Sequence, residues 1–176
     1  DAVIAVCRKR SRALDALKGV RVEAGVDVAD DKSVEKLAKR LKGDRIDLLV
    51  NNAGILERGG LDGLDLASVE RQLEVNAVGP LRVTAAFAPL LGDGSKVAVV
   101  TSRMGSIHDN GSGSYYGYRM SKAAVNAAGK SLAIDLKPRG VAVILLHPGM
   151  VATEMTGGQG IDPADATRGL IARIDA

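Results

Sequence analysis

Short runs of valine, isoleucine, leucine and alanine recur along the chain with helical patterns between them, and this alternation limits the fold more than any other feature. The runs are "AVIAVC", "VRVEAGVDV", "IDLLVNNAG", "KVAVVTS" and "VAVILLHPG". Each is short, β-rich and bounded by glycine, asparagine, proline or charge, as strands buried on both faces are. Between them, residues 31–42 place Val34, Leu37, Ala38 and Leu41 on one helical stripe, and residues 66–91 do the same with Val69, Leu73, Asn76, Ala77 and Leu81. Residues 118–137 form another helical segment, ended by Pro138 and Gly140, and Asp162-Pro163 opens a last one with an aspartate cap and a first-turn proline. Strand–helix–strand alternation predicts right-handed crossovers and an α/β fold: a doubly wound parallel sheet in three αβα layers. No repeat or linker interrupts residues 1–176, which are read as a single domain.

Ligands of such sheets bind beyond the carboxyl ends of the strands. The peptides "NNAG", "TSRMGS" and "HPGMVATEM" each lie just after a predicted strand, so three strand ends converge on one crevice. Composition narrows what binds there. The net charge of +3 is mild, and aromatic residues make up 2% with no tryptophan, which removes most of the stacking surface of a single-strand nucleic-acid binder. The apolar runs are far too short to span a membrane. The opening "DAVIAVCRKR" has its apolar run before its charges, the wrong order for a signal peptide, and the lone Cys7 fits a reducing cytoplasm. The basic cluster "RKRSR", Arg8 to Arg12, reads as a nucleic-acid patch, a solvated helix start or a site for one phosphate group.

Tyr118 and Lys122 stand four apart, hence on one helix face. A free tyrosine has a pKa of about 10, and a neighbouring ammonium favours the phenolate, so the pairing predicts a lowered tyrosine pKa and a proton donor for a carbonyl oxygen. Tyr115 and Tyr116 lack a lysine at that spacing, although Tyr115 has Arg119 there. Ser102 is placed to donate to a developing oxyanion, with Ser106 its nearest rival. Asn76, just ahead of Gly79-Pro80, marks a local distortion of its helix, or a buried amide that merely satisfies backbone.

Asn51-Asn52-Ala53-Gly54, Ser102, Tyr118-x-x-x-Lys122 and Pro148-Gly149 followed by Thr153 occur in the order found in the short-chain dehydrogenase/reductase family. The chain resembles that family along nearly its whole length, most closely its C-factor and Sniffer-type carbonyl reductase branch. The resemblance implies a Rossmann-like sheet and an NADP(H)-dependent, less favourably NAD(H)-dependent, oxidoreductase interconverting a small carbonyl compound and its alcohol. It assigns catalysis to Asn76, Ser102, Tyr118 and Lys122, with Asn76 holding a water that connects Lys122 to a proton relay. Cofactor contacts fall on Arg8, Asp27, Val28, Asn52, Ala53, Gly54, Tyr118, Lys122, Pro148, Gly149, Val151 and Thr153. Arg8, with Lys9 and Arg12, stands where the family selects a 2′-phosphate. Asp27 matches an adenine contact, or is an ordinary turn residue. Residues 150–160 are expected to form a mobile lid, and His108, Asp109 and Asn110 to offer polar contacts or a plain loop. The helices at 66–91 and 118–137 imply a homodimer or homotetramer. A non-catalytic, signalling C-factor-like protein is the alternative.

The family's T-G-x-x-x-G-x-G element and its first strand do not occur here, and "GDGSKV" at 92–97 reads as a turn before a strand. Relative to the family the chain is read as N- and C-terminally incomplete. The absent strand would lie between the strands at 2–7 and 45–50, leaving both with unpaired edges.

Overall fold

Strand β4, Leu91–Val100, is the centre of the molecule, because its side chains are buried on both faces. The computed structural model describes residues 2–176. Before β4 come β1 (Val3–Cys7), the short helix α1 (Arg12–Asp15), β2 (Val20–Ala24), α2 (Asp31–Arg40) and β3 (Ile46–Asn51). Next are α3 (Leu66–Leu73), a π-helical turn (Glu74–Val78) and α4 (Gly79–Phe87), and after β4 come α5 (Tyr116–Leu136), β5 (Ala142–Leu146) and α6 (Pro163–Asp175). All strand pairings are parallel, with β1 beside β2 in one sheet and β3-β4-β5 in the other. The expected unpaired edges are therefore present: β1 and β3 share no ladder.

Alternation along β4 sorts the layers. Val97 and Val99 point to one face, in a core with Ala77, Val125, Leu136 and Val141, while Ala98 points to the other, with Leu146 and Ile174 of α6. The α2 stripe behaves as its spacing predicts. Val34, Leu37 and Leu41 are buried with Val26 and Phe87, and Ala38, Ile4, Ile46 and Leu49 pack against them. Ile46 and Leu49 touch both this cluster and the first, so that face is one continuous core. Burial of each such aliphatic side chain is worth roughly 1.5–3 kcal/mol. The other face is covered less evenly: Leu48 and Val50 of β3 and Val3 of β1 are exposed.

Two expectations need correction. Residues 66–91 do not make one helix, because the π turn adds a residue to the winding between Glu74 and Val78. Pro80 explains part of this: it has no N–H for the Asn76 carbonyl four residues earlier. On α4 Pro80, Thr84 and Phe87 face inward, whereas Leu81, expected on the stripe, is 44% exposed. Residues 92–97 are likewise not a turn ahead of a strand. They belong to β4, whose register against β3 slips from Ile46↔Leu91 to Leu48↔Lys96, with Gly94 at φ 82°. The Ser95 hydroxyl closes this bulge by donating to the Ile46 carbonyl at 2.7 Å and accepting from the Gly92 N–H at 3.0 Å.

The ends of α5 follow from sequence. Leu136 leads into a 3-10 turn over Lys137–Arg139, and Gly140 terminates it at φ 70°, a conformation glycine adopts without cost. Asp162 caps α6 by accepting from the Ala164 N–H at 2.8 Å. Near its middle, α5 lies close on β5: a Cβ at Gly129 would come within 2.5 Å of Leu145 Cδ2.

Candidate active site

Helix α5 carries Tyr118 and Lys122 inward one turn apart, leaving them 8% and 4% exposed. Lys122 Nζ donates to the Val100 carbonyl, at the end of β4, at 2.9 Å. The same ammonium lies 5.6 Å from the centroid of the Tyr118 ring. Facing the ring rather than the phenol oxygen, it does not lower the tyrosine pKa as expected. Burial raises the Tyr118 pKa, and a hydrogen bond with the Ser102 hydroxyl opposes that rise. Burial also pushes the Lys122 pKa down to about 8. A hydrogen bond to phenol and a poised ammonium thus meet at one buried tyrosine.

Ser102 Oγ accepts from the Met104 N–H at 3.2 Å and caps the following turn. The rival Ser106 is engaged elsewhere, accepting from the Asp109 N–H at 3.2 Å. Among the tyrosines, Tyr115 precedes the helix in a left-handed conformation (φ 54°), with its N–H on the Gly59 carbonyl at 2.7 Å. Arg119 reaches back to the Gly113 and Ser114 carbonyls and the Ser112 hydroxyl, so its charge is committed to the loop.

Asn76 joins this group from the π turn. Its Oδ1 accepts from the Ile55 N–H at 2.8 Å, and its Nδ2 donates to the Ile55 carbonyl at 2.8 Å and to Ser121 Oγ at 3.0 Å. The amide therefore does satisfy backbone, but the backbone of the loop after β3, which it ties to α5. A Cβ on Gly54 would lie 3.3 Å from Asn76 Oδ1 and 3.8 Å from Lys122 Nζ, so Gly54 sits at the centre of the group. Ser121 and Gly105 escaped the sequence reading. Ser121 is fully buried, accepts from Asn76 and donates to the Tyr118 carbonyl at 2.8 Å; its place inside Tyr-x-x-Ser-Lys was the available signal. Gly105 lets the turn after β4 lie on α5, where a Cβ would come within 2.7 Å of the Lys122 carbonyl carbon.

A second group lies at the ends of β1 and β2. Asp27 accepts from the Ala29 N–H at 2.9 Å, a strand-end turn, and Val28 follows it half-buried. Within the basic cluster Arg10 is bound to Asp15 and to the Val22 carbonyl, whereas Arg8, Lys9 and Arg12 have no carboxylate partner among the described residues. Asn52 and Ala53 are exposed at the end of β3. On the far side, Pro148 and Gly149 follow β5, and the segment after them closes at its neck. Ile161 N–H donates to the Met150 carbonyl at 2.8 Å and Ala152 N–H to the Ile161 carbonyl at 2.9 Å. Inside the loop Thr156 Oγ1 donates to the Val151 carbonyl at 2.6 Å and accepts from the Thr153 N–H at 3.1 Å. The expected lid thus has a fixed base. Asp109 pairs with Arg103 and Asn110 accepts from the Gly113 N–H, so both serve their own loop.

A parallel α/β sheet with a serine, a tyrosine and a lysine joined at its carboxyl edge defines an oxidoreductase class, and comparison with known proteins bears this out. The short chain dehydrogenase model matches residues 2–163, and the chain belongs to that family. It is 47% identical over 180 residues to the 1-hydroxy-2-glutathionyl-2-methyl-3-butene dehydrogenase of Rhodococcus sp. (strain AD45), covering 98% of this chain and 79% of that protein. It is 48% identical over 134 residues to the C-signal protein of Myxococcus xanthus, covering 74% of this chain and 81% of the relative. Among solved structures, the NADPH-bound carbonyl reductase from chicken fatty liver superposes with a TM-score of 0.86 at 26% identity, over 97% of this chain and 78% of that one.

Proposed function

We propose that the protein is an NADPH-dependent oxidoreductase that interconverts a ketone or aldehyde and its alcohol. One observation carries the reading: Ser102 and Lys122 both engage a buried Tyr118 at the carboxyl edge of the sheet. The cofactor supplies the hydride. Tyr118 gives the proton to the substrate oxygen in reduction and removes it in oxidation, and Ser102 donates to the same oxygen as charge develops there. Lys122 stabilises the phenolate left behind and holds the nicotinamide ribose. Asn76 holds a relay water, a role supported by the proline that denies its carbonyl an α-helical donor.

The residues present fit the cofactor. Arg8, with Lys9 and Arg12, offers charge free of carboxylates to a 2′-phosphate, while Asp27 and Val28 flank the adenine. Gly54, whose missing Cβ leaves room beside Lys122, lies with Asn52 and Ala53 along the cofactor's path. Thr153 and the backbone of Val151 would hold the carboxamide, with Pro148 and Gly149 as further cofactor contacts. The NADPH-bound avian reductase supports the same cofactor. A cytoplasmic location, and a homodimer or homotetramer built on the helical segments 66–91 and 118–137, complete the reading.

Calorimetric titration with NADPH and NADH tests it. NADPH is expected to bind more tightly, and Arg8→Ala to weaken NADPH by roughly tenfold while sparing NADH. Equal binding of the two cofactors, or none, would reject the selector role. The likeness to the C-signal protein favours a second reading, a signalling protein that keeps the fold without turnover. A carbonyl substrate turned over by the wild type and not by Tyr118→Phe would exclude it.

A further inference from the structure

Arg82 lies on α4 and belongs to none of the sequence motifs. Its side chain is only 15% exposed, and it meets acceptors on three different elements. Nη1 donates to the Val28 carbonyl at 2.6 Å, Nη2 to the Glu74 carboxylate at 2.5 Å, and Nε to the Asp31 carboxylate. Val28 is in the loop between β2 and α2, Asp31 opens α2, and Glu74 opens the π turn that carries Asn76. Burial works against the guanidinium charge, but the Asp31 and Glu74 carboxylates outweigh it and raise the pKa above its ordinary value.

The bond to a backbone carbonyl sets this arginine apart from an ordinary ion pair, because it fixes the loop itself. Val28 is held from its other side as well: a Cβ on Gly79 would lie 3.1 Å from Val28 Cγ2, so the valine rests on the turn where π winding gives way to α. The same loop is bonded back to the end of β1, through Gly25 N–H to the Arg8 carbonyl at 3.2 Å and Val26 N–H to the Cys7 carbonyl at 3.1 Å. In the other direction, Asn76 is two residues past Glu74 and bonded to Ser121, which donates to the Tyr118 carbonyl. Contacts therefore run unbroken from Arg8 to Tyr118, with Arg82 holding the middle. The geometry needs an arginine: a planar fork reaches three acceptors at once, whereas a lysine presents a single point of charge.

We propose that Arg82 is a positioning residue that locks the 25–31 loop to the π turn of Asn76, so that seating of the adenosine end of the cofactor and order at the candidate catalytic group are set together. This rests on the proposed function, which gives the loop its cofactor role. The lock itself is a property of the protein without cofactor.

Amide hydrogen exchange of the cofactor-free chain, wild type against Arg82→Met and Arg82→Lys, reads the lock directly. Arg82→Met is expected to speed exchange at both 25–31 and 74–79 by roughly tenfold or more, leaving β4 and the middle of α5 protected. Arg82→Lys keeps the charge without the fork, should fold even if the methionine variant does not, and should fall between. NADPH titration and steady-state rates then read the consequence: a weaker cofactor Kd together with a lower kcat at saturating NADPH, by roughly tenfold and a few-fold respectively. Removing the carboxylates' mutual repulsion as well, in Arg82→Met/Asp31→Asn/Glu74→Gln, should not restore either property.

Faster exchange in only one segment, or wild-type behaviour of the triple variant, would overturn the inference, the latter by reducing Arg82 to a charge neutraliser. Unchanged NADPH affinity and kcat in Arg82→Met beside a wild type that binds and turns over would overturn Arg82's part alone. A wild type that binds no NADPH would overturn the proposed function and the cofactor half of this inference, and the exchange rates would still decide the lock.

Discussion

The middle of the three-stranded sheet and the two-stranded sheet are built from similar valine-rich strands but stand in opposite conditions. In the three-stranded sheet Val97, Ala98 and Val99 are sealed between α5 and α6, and Tyr118 and Lys122 are buried alongside. In the two-stranded sheet Val3 and Val6 are half bare, and the functional candidates Arg8, Lys9 and Arg12 are exposed. The same residue type is core in one place and surface in the other, because burial depends on what covers a strand and not on its composition. The difference also sorts chemistry. Burial shifts the proton affinities of Tyr118 and Lys122 in the covered half, whereas a phosphate selector needs only accessible charge and sits in the open half.

The covered half should yield the largest effect. Tyr118→Phe removes the phenol proton and is expected to lower turnover by about a thousandfold or more, with NADPH affinity nearly unchanged in calorimetry. Survival of turnover would break the assignment of chemistry to this half.

A further test uses pH. The Lys122 pKa is lowered on folding, from 10.5 to about 8. The unfolded chain therefore binds more protons between those values, so the cost of holding the charge buried is full below about pH 8 and is relieved as pH rises toward 10.5. The span corresponds to about 3 kcal/mol. Urea unfolding of wild type and Lys122→Met across this range should show the wild type gaining stability relative to the variant as pH rises. Parallel curves would mean that Lys122 is hydrated after all.

The smallest effects sharpen the contrast between the sheets. Val99→Ala, at a site 1% exposed, should cost roughly 2–3 kcal/mol in urea unfolding, and Val6→Ala, at a site 46% exposed, under about 0.5 kcal/mol. Equal costs would show that the open sheet is covered in solution.

Much of this was legible in the sequence, for reasons that also explain what was not. The apolar runs mark all five strands, and the α2 stripe marks its buried face, because both rest on periodicity within a few residues. Ser102, Tyr118, Lys122 and Asn76 stand in recognisable spacings, and the structure brings them together. The "GDGSKV" segment misled because glycine, aspartate and serine are turn chemistry, and only pairing with β3 reveals a bulge. The tyrosine pKa went the other way because spacing along a helix fixes which residues are neighbours, not where an ammonium points. Gly105 and Arg82 were silent for a related reason: each acts on a segment distant in sequence.

The π turn has a consequence for reading this chain beside others. It takes up one extra residue locally, between two helices that keep a common inward face. A single helical period carried from Leu66 to Phe87 sets Pro80, Thr84 and Phe87 three turns beyond Val69, Leu73 and Asn76, and all three are buried, whereas Leu81 lies at the edge of that face. An alignment or redesign can therefore read one inward face through Asn76 and place the extra residue at the π turn alone. Deleting one residue between Glu74 and Val78 would return the turn to α winding with α3 and α4 in place, and would remove the local widening that sets Asn76 between the Ile55 backbone and Ser121.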